Sequence, residues 1–271
     1  MRIRGVDFSG SSSPGTDIWI TEGRCIDGQL RVEQCRSAAD RFGVTDREPV
    51  LDELRSLLAN AEGTTGLDFS FGLPAPLLPE RVETLIGGIE WFAATFGGDA
   101  ADMRDRLKRR ARALPGDGVE LKRRTDRTVG ANSPYSFITY YQTLYGIREV
   151  LWPLVSEDTI RVPPVDPAGS KNVIEIYPAG TLRRLGTASR EYKADTDEAR
   201  SRRRRIVGRL TDPETDGPGL DVSEAVRGRI IDDSGGDALD SVIAAVATAR
   251  AVTREFDPES GFDEREGHIY V

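Results

Sequence analysis

The chain has 271 residues, of which 38% are hydrophobic and 30% charged, and its formal net charge is −8. This balance is typical of a globular protein with a buried core, and no apolar run is long enough for a membrane span, so we expect no membrane contact. The first residues read as a strand and not as a signal peptide, so a cytoplasmic location is expected. Two isolated cysteines and one histidine, His268, disfavour a zinc site and histidine-based nucleophilic catalysis.

The first quarter of the chain is predicted to form three antiparallel strands. Residues 2–8 read as the first strand, and residues 17–24 and 28–35 read as a hairpin with Asp27-Gly28 as its turn. Residues 47–60 carry apolar side chains at helical spacing. A fourth strand ends at Asp68 and runs into a proline-rich loop that can continue neither a helix nor a strand.

The middle of the chain, residues 80–155, is predicted to be a helical and basic insertion within a single domain of residues 1–271. Helices are expected at residues 81–95, 99–113 and 134–152, the last with Ser133-Pro134 at its start.

The last part of the chain is predicted to return to the sheet. Strands are expected at residues 159–163 and 172–177, a helix from Pro178, further helices at 195–210, 221–232 and 236–254, and an edge strand at 267–271. This order of elements is that of a ribonuclease H-like α/β fold: three antiparallel strands, then a helix, a strand, a further strand and a final helix. We therefore predict a mixed sheet, with three antiparallel strands and then parallel ones, flanked by helices.

Acidic residues follow or end several of these elements. Because ligands bind at the carboxyl edge of open α/β sheets, carboxylates at strand ends are candidates for function. Asp237 and Asp240 open the most apolar helix at a spacing of three, on one helical face. Taken singly, each carboxylate could also cap a turn or a helix. Together they are hard oxygen ligands suited to divalent ions; the candidates are Asp7, Asp68, Glu175, Asp237 and Asp240.

Four short blocks resemble the "domain of unknown function 429" family, whose members are regarded as predicted nucleases of ribonuclease H-like fold. The blocks are Gly5-Val6-Asp7-Phe8-Ser9-Gly10, residues 66–74 around Asp68, Glu175-Ile176-Tyr177-Pro178-Ala179 and Asp237-Ala238-Leu239-Asp240-Ser241. Residues 266–270 also resemble the terminal block of the family. The resemblance implies that the five carboxylates are catalytic metal ligands for Mg²⁺ or Mn²⁺. One departure is Gly236, where a histidine would be expected before the acidic pair.

These features together predict a metal-dependent nuclease that hydrolyses phosphodiester bonds. Two ions about 4 Å apart would stabilise both the attacking and the leaving oxygen. Clustered carboxylates also repel one another, so at least one should have a raised pKa without cations.

Positive charge is concentrated in two stretches that are candidates for contact with nucleic acid. Residues 104–127 hold ten basic against four acidic residues, and residues 200–209 hold six against none. Such a face would attract phosphates, although solvated helical faces explain it equally well. Tyr135, Tyr140 and Tyr141 offer stacking surfaces, with inward packing as the alternative. The candidate phosphate contacts are Lys108, Arg109, Arg110, Lys122, Arg123, Arg124, Arg202 and Arg203. The scarcity of lysine beside abundant aspartate hints at a salt-rich, halophilic habitat.

Two alternatives stay open. Residues 7–13 also resemble the first phosphate loop of actin-like ATPases and sugar kinases, in which glycine and hydroxyl residues surround nucleotide phosphates. The chain is short for that two-lobed architecture and has no late glycine-rich adenosine segment. The other alternative is a nucleic-acid-binding module of the same fold that does not turn over a substrate.

Overall fold

A mixed sheet of seven strands forms the centre of the protein in the computed structural model, which describes residues 1–116, 118–212, 217–258 and 261–271. The strand order is β6-β3-β2-β1-β4-β5-β7. Only β2 runs antiparallel to its neighbours. The strands are β1 Arg2–Asp7, β2 Trp19–Ile26, β3 Gln29–Ser37, β4 Gly63–Leu67, β5 Lys171–Ile176, β6 Gly219–Asp221 and β7 Ile269–Tyr270.

Helices cover both faces of this sheet. In chain order they are α1 Ala38–Phe42, α2 Arg47–Asn60, α3 Leu85–Thr95, α4 Ala100–Arg112, α5 Arg124–Val129, α6 Tyr140–Tyr145, a π-helical segment Gly146–Leu151, α7 Trp152–Ser156, α8 Pro178–Arg184, α9 Asp197–Leu210, α10 Glu224–Asp232 and α11 Asp237–Thr253. Within the described ranges, no helix combines the length and the apolar character needed to cross a membrane.

The first three strands follow directly from the sequence. Asp27 and Gly28 adopt positive φ values of 49° and 78°, as a tight two-residue hairpin turn requires, and they join β2 to β3. β1 pairs with β2 on one side and with the parallel strand β4 on the other. The antiparallel strands predicted from the hairpin signal are therefore confirmed.

One face of the sheet packs against helices α2, α3, α4 and α7 and the π-helical segment. Val6 and Leu67 point to this face and join a large apolar core with side chains from those helices. We call it the insertion face, because most of its helices come from residues 80–155.

The other face packs against α11, and we call it the α11 face. Fourteen of the seventeen residues of α11 are buried, so its apolar surface is removed from water against β1, β2 and β4. Gly5 permits this approach: a Cβ atom there would lie 2.1 Å from the backbone nitrogen of Ala245. A Cβ atom at Gly66 would likewise lie 2.1 Å from Oγ1 of Thr248. The helix therefore lies directly on the strands that carry Asp7 and Asp68.

Several local predictions were wrong. Residues 159–163 do not form a strand; only Arg161 makes an isolated bridge to Asn172, and Pro163 and Pro164 lack the N–H groups that a ladder needs. The helix predicted from residue 134 begins at Tyr140, because residues 134–139 form turns, and it is interrupted by the π-helical segment. The short elements α1, α5 and β6 were not predicted.

Candidate functional site

Asp7 and Asp68 stand side by side at the carboxyl edge of the sheet. Val6 pairs with Leu67 in the parallel register of β1 and β4; Asp7 is the last residue of β1, and Asp68 directly follows β4. Side chains alternate between faces, so Asp7 points to the same side as Gly5, and Asp68 to the same side as Gly66. Both therefore project on the α11 face.

Asp240 comes to the same place from the first turn of α11. Its side chain is 5% exposed and is held by two neighbouring residues. The Tyr192 hydroxyl donates a hydrogen bond to Oδ1 at 2.7 Å, and the Lys193 ammonium lies 2.6 Å from Oδ2. Lys193 also donates to Asp237 at 3.3 Å. Asp237 and Asp240 thus share one helical face, as their spacing predicts.

The electrostatics of Asp7 and Asp68 reflect their crowding. Burial raises the pKa of both carboxyl groups well above the ordinary value, and repulsion by Asp240 raises it further, while the Lys193 ammonium partly offsets the rise. Among the described residues no group donates a hydrogen bond to either carboxylate, so both have free oxygen lone pairs. The expectation that clustered carboxylates would raise one another's pKa agrees with these directions.

Lys193 is the positive charge of this cluster. Partial burial lowers the pKa of its ammonium group, but attraction by Asp240 and Asp7 outweighs burial, and the pKa is raised overall. Burial and Asp240 also raise the pKa of Tyr192, so its hydroxyl stays protonated as a donor. The side chain of Lys193 is nevertheless 46% exposed, so water can reach it.

We expect the raised pKa values to make the metal-free protein less stable as pH rises. The folded state binds more protons than the unfolded state between the ordinary carboxyl pKa and the raised one, so the free energy of unfolding falls over that window. Asp7→Asn should flatten this fall and add on the order of 1 kcal/mol at neutral pH. Urea denaturation in EDTA from about pH 4 to about pH 8 measures the free energy of unfolding of both proteins as a function of pH. Glu53→Gln on the exposed side of α2 is the control, and parallel profiles for wild type and Asp7→Asn would contradict the expectation.

Glu175 lies on the opposite face of the sheet from Asp7 and Asp68. Leu67 pairs with Glu175 and both point to the insertion face, whereas Ile176 contacts the position of Gly66 on the α11 face. Both carboxylate oxygens of Glu175 are already engaged: Arg123 Nη1 donates to Oε2 at 2.7 Å and Arg123 Nη2 to Oε1 at 2.5 Å. The backbone N–H of Phe71 adds a hydrogen bond to Oε2 at 3.0 Å.

Arg123 is the centre of this buried ion cluster. It is fully buried and also donates to Asp126 Oδ1 at 2.7 Å. Burial lowers the pKa of its guanidinium, but Asp126 and Glu175 outweigh burial and raise it. Arg123 was a predicted phosphate contact, but the structure gives its side chain no exposed surface to offer a phosphate.

A cleft of about 420 Å³ brings these groups together. Asp7, Asp68, Glu175 and Asp240 line it, and Asp237 is not among its described lining residues. Lys193, Tyr192, Arg123 and Asp126 also line it, and sequence reasoning assigned none of them to an acidic site. The sequence feature that sets Lys193 apart is its rarity, since it is one of four lysines in the chain.

The other residues predicted to contact phosphates differ in how far their side chains are exposed and in whether they are already paired. Arg203 is 2% exposed and donates to the backbone oxygens of Tyr192 and Ile231, so it has little surface to offer a phosphate. Lys108 pairs with Glu120 at 2.7 Å, and Arg202 pairs with Glu191. Exposed or partly exposed positions are held by Arg109, Arg110, Lys122 and Arg124.

The tyrosines predicted to stack on bases also differ in their exposure. Tyr135 is fully buried, and its hydroxyl accepts a hydrogen bond from the Leu121 N–H at 2.7 Å, so it packs inward. Tyr141 is 43% exposed, and Phe137 beside it is 74% exposed. The neighbouring residues Ile138 and Gln142 line the cleft. Exposed aromatic surface therefore lies close to the cleft in sequence.

The cleft offers part of the donor set that a divalent ion needs. Asp7, Asp68 and Asp240 supply hard carboxylate oxygens on one face, which is the chemistry that Mg²⁺ and Mn²⁺ require. Glu175 does not fit, because Arg123 engages both of its oxygens. Within the described residues, no three carboxylate, histidine or cysteine side chains stand ready as a metal site. The three aspartates supply the donor atoms that such an ion requires, and in this structure the Lys193 ammonium lies against Oδ2 of Asp240.

Residues 151–258 match the model of a protein family described as "Protein of unknown function (DUF429)". The family resemblance predicted from the sequence blocks is thereby confirmed over this segment, which contains Glu175, Lys193, Asp237 and Asp240. Asp7 and Asp68 precede the matched segment. No curated protein and no solved structure matches the chain.

Proposed function

We propose that the protein is a metal-dependent nuclease of ribonuclease H-like fold, with its active site in the cleft of Asp7, Asp68 and Asp240. The observation that carries the proposal is the convergence of three carboxylates from β1, β4 and α11 on one face at the carboxyl edge of the sheet. These residues are far apart in sequence, and burial together with repulsion by Asp240 raises the pKa of Asp7 and Asp68. A cation that neutralises the cluster would relieve this unfavourable charge.

The topology supports the ribonuclease H-like assignment. The strands β3-β2-β1-β4-β5 are adjacent in that order, and only β2 is antiparallel to its neighbours. Helix α11 then packs across β1, β2 and β4. A late helix across the first and fourth strands is the arrangement expected from the order of elements in the sequence.

Asp7, Asp68 and Asp240 would hold Mg²⁺ or Mn²⁺. The bound ion would polarise a phosphate oxygen and lower the pKa of a coordinated water. Tyr192 positions Asp240 by fixing its Oδ1, and this leaves Oδ2 for Lys193 or for a ligand. Lys193 supplies a positive charge that balances the cluster when no ion is bound, and its partly exposed chain can turn toward a phosphate.

We expect Lys193→Gln to tighten Mn²⁺ binding. Removing the ammonium leaves Asp240, Asp237 and Asp7 without their nearest positive charge, so a divalent cation gains attraction. Isothermal titration of the wild type and the variant should show a gain of about tenfold, equivalent to about 1.4 kcal/mol. Lys171→Gln, which removes a lysine bonded to the Ala59 carbonyl outside the cleft, is the matched control. Weaker Mn²⁺ binding in Lys193→Gln would show that the lysine assists the ion.

The proposed substrate is nucleic acid, as DNA or RNA. The exposed basic side chains of Arg109 and Arg110 and the exposed rings of Phe137 and Tyr141 support it, because phosphates and bases would contact them. A phosphate-loop role for residues 7–13 has less support. Ser11 Oγ donates to Asp17 at 2.8 Å, and Arg47 holds the carbonyls of Gly10 and Ser11.

The test is cleavage of single-stranded and duplex DNA and RNA by the wild-type protein with Mn²⁺ and with EDTA. Cleavage with Mn²⁺ that stops in EDTA is the expected result. Metal-independent binding of nucleic acid without any cleavage would instead identify a binding module. A saturable rise in melting temperature with ATP and Mg²⁺ and no cleavage would favour the kinase-like alternative and overturn the proposal.

A further inference from the structure

A second concavity, which we call the arginine pocket, borders the carboxylate cleft. It has a volume of about 660 Å³ and lies between α5, α8, the carboxyl-terminal part of α11 and β7. Its described lining includes one acidic residue, Asp257, and five arginines: Arg127, Arg183, Arg184, Arg250 and Arg254. Such a positive surface stands out on a chain with a net charge of −8.

Backbone carbonyls hold two of these arginines in place. Arg183 Nη2 donates to the carbonyls of Val129 and Gly130, at 2.6 Å and 3.3 Å, and its guanidinium lies 5.3 Å from the centre of the Tyr177 ring. Arg127 donates to the Lys122 carbonyl at 2.9 Å. Carbonyl oxygens orient a guanidinium without neutralising its charge. The two groups are therefore fixed, keep their full positive charge and have further N–H groups to offer.

The arginine pocket and the carboxylate cleft are neighbours that share a lining residue. Ile269 lines both, and α8 has Pro178 and Ala179 in the cleft but Arg183 and Arg184 in the pocket. Along α11, Asp240 and Arg250 are ten residues apart, a separation of about 15 Å at the rise of an α-helix. A chain of a few nucleotides spans such a distance.

We propose that the arginine pocket binds the phosphate groups of nucleic acid beside the cleft, an inference that rests on the proposed nuclease function. Guanidinium groups bind phosphate through paired, charge-assisted hydrogen bonds. The pocket would hold one end of the strand while a phosphodiester bond lies against Asp7, Asp68 and Asp240. Of these arginines only Arg127 lies in one of the two basic stretches of the sequence, and none is among the eight candidate phosphate contacts.

The experiment measures binding of a labelled single-stranded oligonucleotide in EDTA, where no metal-dependent cleavage occurs. Arg127→Gln and Arg183→Gln should each weaken binding about tenfold and lower the slope of log affinity against log salt by about 0.7. Arg127→Lys should retain most of the affinity, because it retains the charge. Arg31→Gln is the control, since Arg31 is exposed on β3 near the opposite edge of the sheet. Melting temperatures of all variants check that each is folded.

Three outcomes would overturn the inference. The first is that the two pocket variants bind like Arg31→Gln. The second is that binding falls without any change in the salt slope, which would indicate structural damage. The third is that Arg127→Gln loses binding of inorganic phosphate alone and keeps oligonucleotide binding, so that the pocket takes a small anion. Failure of the nuclease proposal is separate, since it would appear as intact binding in EDTA with no cleavage in Mn²⁺.

Discussion

Asp7→Asn is expected to fold like the wild type and to lose manganese-dependent cleavage by a factor of about 10² to 10⁴. Asp7 is 7% exposed, and its carboxylate is surrounded by Asp68, Asp240 and Lys193. An amide of the same shape preserves the packing but removes the negative charge that would hold a divalent ion. Cleavage rates at saturating Mn²⁺, together with melting temperature, measure the two effects separately.

Asp237→Asn is the matched control for this experiment. Asp237 is on the same helix as Asp240 and also contacts Lys193, but its side chain is 30% exposed and is outside the described lining of the cleft. We expect it to lose less than about tenfold in rate. Equal rates for wild type and Asp7→Asn would remove Asp7 from the site. Equal and large losses of cleavage rate in both variants would instead place the reaction at the first turn of α11, around Lys193.

Local sequence patterns mark each of Asp7, Asp68 and Asp240, the three aspartates that the fold brings to one cleft. Asp7 and Asp68 end short apolar runs, and parallel strands bring such ends to one edge. Asp240 follows a glycine-rich turn at the start of the most apolar helix. The hairpin before them carries an Asp-Gly turn, which fixes the antiparallel order of the first strands.

Glu175 shows what a single sequence leaves open. It is in a strand, and whether it points to one face or the other depends on a register that a shift of one residue reverses. Its pairing with Leu67 turns it toward the insertion face, whereas the next residue, Ile176, faces α11. The partner that makes its burial tolerable, Arg123, is 52 residues away and lies in a basic run that reads as a solvated surface.

Lys193 was missed for a different reason. It lies in the loop between α8 and α9, where no periodicity or motif marks it. Its role depends on tertiary contacts with Asp240 and Asp237 that form only when α11 packs on the sheet. Charge clusters of this kind are set by the fold and not by local propensity.

The second large effect is expected from Arg123→Met, which should lower the free energy of unfolding by about 3–5 kcal/mol. The substitution removes the only described cation that pairs with the buried carboxylates of Glu175 and Asp126. It leaves both carboxylates buried without that cation. The cluster also ties β5 to α5 and, through the Phe71 N–H, to the loop that follows β4. Urea denaturation at neutral pH measures the loss.

Two further variants separate the buried charge from packing. Arg123→Met combined with Glu175→Gln removes one of the stranded charges, so we expect it to recover about half of the lost stability. Arg31→Gln breaks a pair of similar length, 2.9 Å to Asp221, whose side chains are 65% and 48% exposed, and it should cost less than about 1 kcal/mol. A loss in Arg123→Met no larger than that in Arg31→Gln would show that water reaches the cluster. In that case Glu175 would become available again as a ligand in the cleft.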